Sequence, residues 1–567
     1  MNLIIIISYY IAILISIIGF GYFASKILKI NIASKDIMLF GLLGIIFLTF
    51  LSYLTNLFTA HNILHNSVLN LIGISLFIYG YTKLNIDRKS LFKTLLLAGV
   101  LLIFSLMAKS HDDFGWYHLP YMINLSEQKF QYGLGHFNHG FRTPSSLFYL
   151  NSLFYLPIIK FYSFNFAQLY IFLFSLIFFY KKTMNKFNSN SLTFFYSLLT
   201  FTFVIVSFYR LAEHGSDRSG QILVFIAIIL IFEILRNNKI KIEIIHLLIF
   251  ILIYIITIKT YFIIYSLLLL PILFKIKLNT KIYKDIIFSR LTVFSIIFLL
   301  MHFNIQVANS GCLLYPINFT CYSDFIWSIN KDEVTMMSQW YELWAKSGAN
   351  PNFRIDNPEQ YISNLNWVSR WFLEYFFNKI SDLILGIILI LIICFYLFKN
   401  KKQQKIKTFN TNNIMSTFKN NNIMISFIIS MTVIFLIWFI KFPQLRYGGY
   451  TLAANLFFLP FCFYAANYQI NKKAYQSAKI LFALSIIIFM GRNINRISNE
   501  IAGYQYNPIK NAYFHIQKPQ FKKKILDNGV VLNLTKGGCW SIPQPCARSP
   551  VLTAVKKKGY VIYYRKK

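Results

Sequence analysis

Residues 110–151 read SHDDFGWYHLPYMINLSEQKFQYGLGHFNHGFRTPSSLFYLN, and this polar stretch interrupts a chain that is otherwise strongly apolar. Of the 567 residues, 56% are hydrophobic and 13% are charged. The stretch nevertheless carries acids, histidines and an arginine, namely Asp112, Asp113, His118, Glu127, His136, His139 and Arg142. We expect a loop of this composition to hold functional side chains as well as to connect its apolar neighbours.

Apolar runs on both sides of this loop predict membrane-spanning helices. A helix needs about 20 apolar residues to cross a hydrocarbon core of about 30 Å. By this length the sequence contains about 13–14 candidate spans, including a helix pair broken near Lys259. It therefore predicts an all-α polytopic membrane protein, with interfacial helices in external segments where tryptophans are dense.

Short basic segments between the apolar runs mark the inner loops of a membrane protein. One of them is KLNIDRKSLFK at residues 83–93. The alternation predicts a transmembrane domain over residues 1–492, with a first external loop at 109–163 and a second large external loop at 304–381. Residues 493–567 then form an external carboxyl-terminal domain, whose VVLNL and GYVIYY runs predict strands of a small α/β appendage.

The net charge of +36 raises the question of a nucleic-acid partner. A nucleic-acid surface would group lysines and arginines on one soluble face, whereas here they stand in short clusters between apolar runs. We therefore predict no nucleic-acid partner. The sequence also lacks a Walker loop or a G-x-G-x-x-G motif after a strand, which disfavours chemistry driven by ATP or NAD.

Four of the six cysteines form two close pairs in the sequence, Cys312 with Cys321 and Cys539 with Cys546. Both pairs lie in segments that the charge alternation places outside, where disulfides persist. We predict two disulfides, because metal sites would need further ligands that the sequence does not supply.

Asp112 and Asp113 directly follow a predicted span at the outer water interface. A carboxylate there can accept the proton of an attacking hydroxyl group, provided that it lies within hydrogen-bond reach. The alternative is that the two acids only end the helix and fix its orientation. Composition alone leaves both interpretations open.

Several cations outside the predicted spans could hold a phosphate group. Arg142, Arg218 and Arg446 are external arginines close to spans, and Lys259 sits at the break in the helix pair. Each of these side chains could instead extend to lipid phosphates at the interface. His118 and His139 could contact sugar hydroxyls or phosphate, or only bond to the backbone.

Two motifs in the first external loop resemble a known family. HDDFGWYHLPYMINLSEQ at residues 111–128 and GLGHFNHGFRTPSSLFYLNSLF at residues 133–154 look like the first external loop of GT-C superfamily glycosyltransferases, a group that includes protein mannosyltransferases and lipid A aminoarabinose transferases. The closest resemblance is to a branch of uncharacterised bacterial multi-pass membrane proteins. The matching positions are Asp113, Gly115, Tyr117, His118, Leu119, Gly133, Leu134, Gly135, His139, Gly140 and Ser145, with Arg142 displaced by one residue.

The resemblance implies a glycosyltransferase in the bacterial cytoplasmic membrane with its active site facing the exterior. It implies inverting sugar transfer from a polyprenyl-phosphate donor to a glycan, lipid or protein. Asp113, or else Asp112, would act as the general base. Donor and acceptor contacts are expected from Tyr117, His118, His139, Arg142, Arg218, Lys259 and Arg446.

Some members of this superfamily use Mg²⁺ or Mn²⁺, and others need no metal. Glu213, His214 and Asp217 form a second external polar cluster. Asp113, Glu213 and Asp217 would supply the oxygen ligands that these ions prefer. The sequence predicts this metal site as an option and not as a requirement.

Two other functions compete with this prediction. One is a polysaccharide polymerase or ligase that uses undecaprenyl-pyrophosphate glycans and depends on basic and histidine residues in large external loops. The other is a non-enzymatic flippase or transporter of lipid-linked sugars. A transporter is expected to show ionisable residues in mid-span and an internal repeat, and neither is clear in the sequence.

Overall fold

The computed structural model describes residues 2–30, 36–84, 88–185, 190–211, 216–236, 241–276, 279–348, 355–399, 422–512, 516–549 and 551–565. The helices in the first half are α1 (Leu3–Ile27), α2 (Ile37–Asn56), α3 (Ile63–Leu84), α4 (Arg88–Leu101), α5 (His118–Glu127), α6 (Ser146–Ser152), α7 (Phe166–Met184), α8 (Ser191–Ser207), α9 (Asp217–Arg236) and α10 (Ile242–Ile258). Then follow α11 (Leu270–Ile276), α12 (Thr280–Ile287), α13 (Arg290–Ser310), α14 (Lys331–Lys346), α15 (Pro358–Ile362), α16 (Val368–Trp371), α17 (Ser381–Phe398), α18 (Asn422–Lys441), α19 (Gly449–Tyr464) and α20 (Lys472–Tyr504).

Within the described ranges, ten helices are long and apolar enough to cross a membrane, and three further apolar helices are shorter. The shorter ones are Ser191–Ser207, Ile242–Ile258 and Thr260–Ile276. The predicted break of the helix pair near Lys259 is present, because α10 ends at Ile258 and a 3-10 helix starts at Thr260. The chain therefore has the helical make-up of a multi-pass membrane protein, as the apolar runs predict.

Close helix crossings depend on glycine. A side chain at Gly44 of α2 would place its Cβ 1.9 Å from the carbonyl oxygen of Ile17, and one at Gly21 of α1 would place it 1.6 Å from that of Phe40. Small residues at such crossings let two backbones approach, which is how helices pack where water provides no driving force. They bring α1 and α2 together as a close pair.

The bundle has two distinct ends. At one end Asp36, just before α2, bonds to Lys181 of α7 at 2.7 Å, and Lys182 pairs with Glu233. At the other end of α2, the backbone of Asn56 accepts a 2.9 Å hydrogen bond from the N–H of Phe130. The first loop therefore lies at the end of the bundle opposite to these two ion pairs.

Three predicted boundaries differ from the structure. The apolar run at about Leu95–Ala108 predicts a membrane span, but α4 ends at Leu101 and a 3-10 turn follows, so this segment is not one of the ten long helices. The predicted second loop, 304–381, is shorter at both ends. Helix α13 continues to Ser310, and α16, a π-helix over Phe372–Ile380 and α17 form one helical run.

The last helix is longer than predicted. The apolar run predicts a span over about Ile480–Met490, but α20 continues through the predicted domain boundary at residue 492. Arg496 and Glu500 interrupt the apolar run, yet they pair with each other at 2.9 Å and are buried. Glu500 also accepts a 2.8 Å hydrogen bond from the N–H of Ala108, and this contact fixes the point where the first loop begins.

A small β region follows α20, as predicted from the VVLNL and GYVIYY runs. Strands β1 (Lys522–Ile525) and β2 (Val531–Leu534) are antiparallel, β3 (Cys546–Ala547) runs parallel to β2, and β4 (Leu552–Lys557) and β5 (Tyr560–Arg565) form a hairpin. Among the residues described after Tyr504, the regular elements are these strands and one 3-10 turn. The only α-helix described within the predicted α/β appendage is therefore the end of α20.

The β region packs on the first loop. Tyr132 donates its N–H to Val561 of β5 at 3.0 Å and accepts the N–H of Tyr563 at 2.9 Å. The N–H of Trp540 donates to Gly115 at 2.9 Å, only two residues after Asp113. The structure contains the disulfides Cys312–Cys321 and Cys539–Cys546, and the second of these closes the segment that carries Trp540.

Candidate active site

A cavity of about 1470 Å³ opens at the end of the bundle where the first loop lies. Five parts of the chain form its charged side: the turn at Asp112–Phe114, the start of α9, the break at Lys259, helix α14 and the turn at Leu445–Tyr447. These parts are far apart in sequence. Helix packing alone brings them to one surface.

Asp113 is held in place by its neighbours in the first loop. Its N–H donates to the ring nitrogen Nδ1 of His111 at 3.1 Å, which starts the 3-10 turn. Its carboxylate oxygen Oδ2 accepts the hydroxyl of Tyr117 at 3.0 Å. Asp112 also lines the cavity but is exposed, so Asp113 is the acid that the fold orients.

Arg446 joins Asp113 to a second acid. Its guanidinium lies 3.6 Å from Oδ2 of Asp113 and donates through Nε to Oδ2 of Asp217 at 3.0 Å. The same oxygen of Asp217 accepts Lys259 Nζ at 2.9 Å. The result is a compact cluster of two carboxylates and two cations, which we call the ion cluster: Asp113, Asp217, Lys259 and Arg446.

The turn that carries Arg446 is fixed by hydrogen bonds from three helical segments. Trp438 of α18 donates Nε1–H to the carbonyl of Gln444 at 2.9 Å. Gln221 of α9 donates to the carbonyl of Leu445 at 3.0 Å, and Leu445 donates its N–H to the hydroxyl of Tyr375 at 2.9 Å. These hydrogen bonds from the bundle therefore fix the backbone beside Arg446.

The electrostatics of the cluster favour charged groups at neutral pH. Burial would raise the pKa of Asp113, but the Arg446 guanidinium, His118, His111 and the Tyr117 hydroxyl together hold that pKa below its ordinary value. Burial lowers the pKa of Lys259 to about 8, although Asp217 opposes the shift. Burial also lowers the pKa of His118 to about 4. Near pH 7, Asp113 is thus ionised, Lys259 is mostly protonated and His118 is neutral.

The predicted substrate contacts of the first loop divide into two groups. Tyr117, His118 and His139 line the cavity, and the rings of Tyr117 and His118 are 4.4 Å apart. Arg142 does not line it. Its buried side chain pairs with Glu333 of α14 and donates to the hydroxyl of Tyr315 at 2.6 Å. Arg142 therefore joins the first loop to the second and lies outside this cavity.

A second cationic part of the cavity was only partly expected. Arg218, a predicted substrate contact, lies 5.5 Å from the ring of Phe208 and 5.3 Å from that of Tyr450, and it donates to the Tyr450 hydroxyl at 3.3 Å. Arg492 of α20 also lines the cavity and lies 3.9 Å above the ring of Tyr209. Sequence reasoning passed over Arg492, although an arginine beside an apolar run is itself a signal in a chain with so few arginines.

The cavity also has aromatic and apolar walls. Trp340 and Trp344 of α14 line it, and their rings stack 6.3 Å apart. Leu383, Gly386 and Ile390 line it along one face of α17, because residues three or four positions apart share a helix face. A polar cluster, aromatic rings and an aliphatic wall thus meet in one cavity.

Of the predicted metal ligands, Asp113 and Asp217 lie close together on Arg446. Glu213 and His214 lie outside the described residues. Asp113 and Asp217 are each paired with Arg446, and Asp217 also binds Lys259, so the partners of these two acids within the cluster are cationic side chains. In the described part of the chain, no group of three or more acidic, histidine or cysteine side chains is arranged to hold a metal ion.

Together, the fold and the cavity define a helical protein of multi-pass make-up with a charged site at one end of its bundle. A family model described as a domain of unknown function, DUF8201, matches residues 1–453. The chain belongs to this family. The match includes every member of the ion cluster, while the β region lies beyond it. No curated protein and no solved structure matches the chain significantly.

Proposed function

We propose that this protein is a membrane glycosyltransferase of the GT-C type, which transfers a sugar from a polyprenyl-phosphate donor to a glycan, lipid or protein acceptor. In this proposal the site faces the outer side of a bacterial cytoplasmic membrane. The observation that carries it is the ion cluster on the wall of a cavity that also has an aliphatic side. A lipid-linked sugar phosphate needs both surfaces.

Cations of the cluster receive the donor phosphate. When the bond between the anomeric carbon and the phosphate oxygen breaks, its electron pair stays on the phosphate, and the added negative charge requires nearby positive charge. Arg446 and Lys259 are already 3.0 and 2.9 Å from one carboxylate oxygen of Asp217. A guanidinium presents further N–H groups, so Arg446 can bind phosphate while it keeps its bond to Asp217.

Asp113 is the general base. The acceptor hydroxyl attacks the anomeric carbon from the side opposite to the phosphate, and its proton moves to the Asp113 carboxylate. Arg446 holds this carboxylate ionised. When phosphate draws the Arg446 charge away, the pKa of Asp113 rises, so donor binding makes the base stronger. Tyr117 keeps the carboxylate in place through its 3.0 Å hydrogen bond.

The remaining walls receive the rest of the donor. Trp340 and Trp344 offer flat apolar faces to a sugar ring, and the α17 face of Leu383, Gly386 and Ile390 offers an aliphatic path for the polyprenyl chain. A Cβ at Gly386 would meet nothing within 4 Å, so space is open beside this helix.

The test is turnover of a polyprenyl-phosphate-linked sugar by purified protein carrying Asp113→Asn. We expect kcat to fall by about 10²–10⁴-fold with little change in donor affinity, as for loss of a general base. Asp112→Asn is the matched control and retains most activity. Normal turnover by the Asp113→Asn variant would show that Asp113 is not the general base.

The competing functions give different results. A polymerase or ligase acting on pyrophosphate-linked glycans would need Arg446 and tolerate Asp113→Asn. A flippase would move a labelled lipid-linked sugar across a vesicle membrane without cleaving it. Mass spectrometry of lipid-linked sugars from membranes with and without the protein would identify the donor for either assay.

A further inference from the structure

A second pocket, of about 570 Å³, lies between the first loop and the β region. We call it the basic pocket. Its first-loop side consists of residues 135–139 and Arg142, and its β-region side carries Lys536, Arg548 and Arg565. Nothing in the proposed transfer reaction uses the last three residues.

The charge of this pocket is not balanced locally. Lys536, Arg548 and Arg565 are exposed, and no carboxylate is among the described residues that line the pocket. The nearest acid contact is Glu333, which pairs with Arg142 and lies 3.9 Å from Arg565. Residues 505–567 as a whole contain thirteen lysines and arginines and one aspartate, so the surroundings do not restore neutrality.

The shape of the pocket favours a defined ligand over a diffuse ion atmosphere. The Arg548 guanidinium lies 4.9 Å from the ring of Trp116, and this contact restricts its position. Arg565 is the last residue of β5, and Tyr563 of the same strand donates its N–H to Tyr132 of the first loop at 2.9 Å. Both arginines of the β region are thus attached to parts of the chain that contact the first loop.

The basic pocket adjoins the ion cluster. His139 lines both the pocket and the 1470 Å³ cavity. Its ring centroid is 6.0 Å from that of Tyr117, and the Tyr117 hydroxyl donates to Asp113. A chain of a few sugar units can therefore reach from the basic pocket to the general base.

We propose that the basic pocket binds an anionic saccharide, one bearing carboxylate or phosphate groups, and holds it as the acceptor. The acceptor role rests on the proposed function; the binding of an anionic saccharide does not. A lipid headgroup fits less well, because Ala547 and Leu552 of the lining are buried. The pocket thus has no exposed aliphatic face like that of α17, on which acyl chains could lie.

Binding of trigalacturonic acid to the purified full-length protein in detergent, measured calorimetrically without donor, tests this proposal. Maltotriose is the neutral control ligand. The pocket variant is Lys536→Gln, Arg548→Gln and Arg565→Gln combined. The matched variant is Lys522→Gln, Lys524→Gln and Lys556→Gln, which removes the same charge from exposed positions of the same β region outside the pocket.

We expect trigalacturonate to bind and maltotriose to bind at least tenfold more weakly. The pocket variant should lose about tenfold or more in affinity, since charge-assisted hydrogen bonds are removed, and the matched variant less than threefold. Lys536→Gln alone, at an exposed position, should give part of the loss with an unchanged unfolding temperature. This single variant separates a binding effect from misfolding.

Equal losses in the two triple variants would overturn the proposal, because they would show a general charge effect. Binding of phosphatidylglycerol vesicles that depends on the pocket residues, without binding of trigalacturonate, would overturn it in favour of a membrane contact. Asp113→Asn protein should bind trigalacturonate normally. The binding result can therefore be interpreted even if the glycosyltransferase assay fails.

Discussion

The guanidinium of Arg446 lies 3.6 Å from the carboxylate of Asp113, although the two residues come from loops that are far apart in the sequence. The same guanidinium bonds to Asp217 at 3.0 Å. One arginine therefore links the two acids. In the proposed reaction this guanidinium contacts both the base Asp113 and the donor phosphate.

Arg446→Gln should raise the KM for the donor by about 10–100-fold, because a phosphate contact and the link between the acids are both lost. Arg446→Lys keeps the charge but cannot bond to both acids with one planar group, and we expect an intermediate effect. Steady-state kinetics with a polyprenyl-phosphate sugar measure both. Arg290→Gln, at the opposite end of the bundle where Arg290 bonds to the Ile27 carbonyl, is the control. Unchanged donor KM in Arg446→Gln would contradict the phosphate assignment.

We predict that activity depends on pH through the charge of Lys259. Its pKa is lowered to about 8 by burial, which outweighs the opposing pull of Asp217. The side chain is therefore cationic below that pH and becomes neutral as the pH rises through it. We expect kcat/KM, which reports the free enzyme, to fall about tenfold between pH 7 and pH 9.

Lys259→Arg provides the comparison, because a guanidinium stays charged over this whole range. The variant should lose some activity at pH 7 through altered geometry, but its pH profile should flatten above pH 8. The same alkaline fall in both proteins would assign the pH dependence to another group.

The sequence predicted much of the site one residue at a time. Asp113, Asp217, Lys259 and Arg446 were all singled out by their polarity beside apolar runs. Their grouping was not predictable, because apolar periodicity identifies helices but does not say which loops meet. Asp217 was accordingly assigned to a metal site with Asp113, while the structure pairs it with Lys259 and Arg446.

The same limit explains two other differences. Arg142 was singled out as an external arginine close to a span, but its pairing with Glu333 was not predictable, because Glu333 belongs to the second loop, far along the chain. The span predicted at Ile480–Met490 is shorter than helix α20, because the polar residues from Arg492 to Glu500 look like the end of a span. The spacing of four residues between Arg496 and Glu500 was a usable signal, since oppositely charged residues at that spacing face each other on a helix.

The Arg142–Glu333 pair is predicted to stabilise the fold. The Arg142 side chain is 5% exposed, so removing the charge of Glu333 leaves a buried cation without its acid. Glu333→Gln should destabilise the protein by about 2 kcal/mol, measured from the thermal unfolding of the purified protein. Asp332→Asn, an exposed neighbour on the first turn of α14, should cost about 0.5 kcal/mol. Equal stability of the two variants would show that the pair does not hold the loops together.

Gly115 provides a test of the contact between the first loop and the β region. A Cβ at this position would lie 2.0 Å from the ring of Trp540, and the N–H of Trp540 donates to the Gly115 carbonyl. Gly115→Ala must therefore displace either the tryptophan or the loop, at a cost of about 1–3 kcal/mol. Because Asp113 is two residues away, we also expect kcat/KM to fall by about tenfold or more, as the base moves from Arg446. Gly537→Ala, in the same β region, would meet nothing within 4 Å and should leave both unfolding temperature and turnover unchanged. If the two alanine variants behave alike, the β region does not position the base, and Asp113 depends on the helical bundle alone.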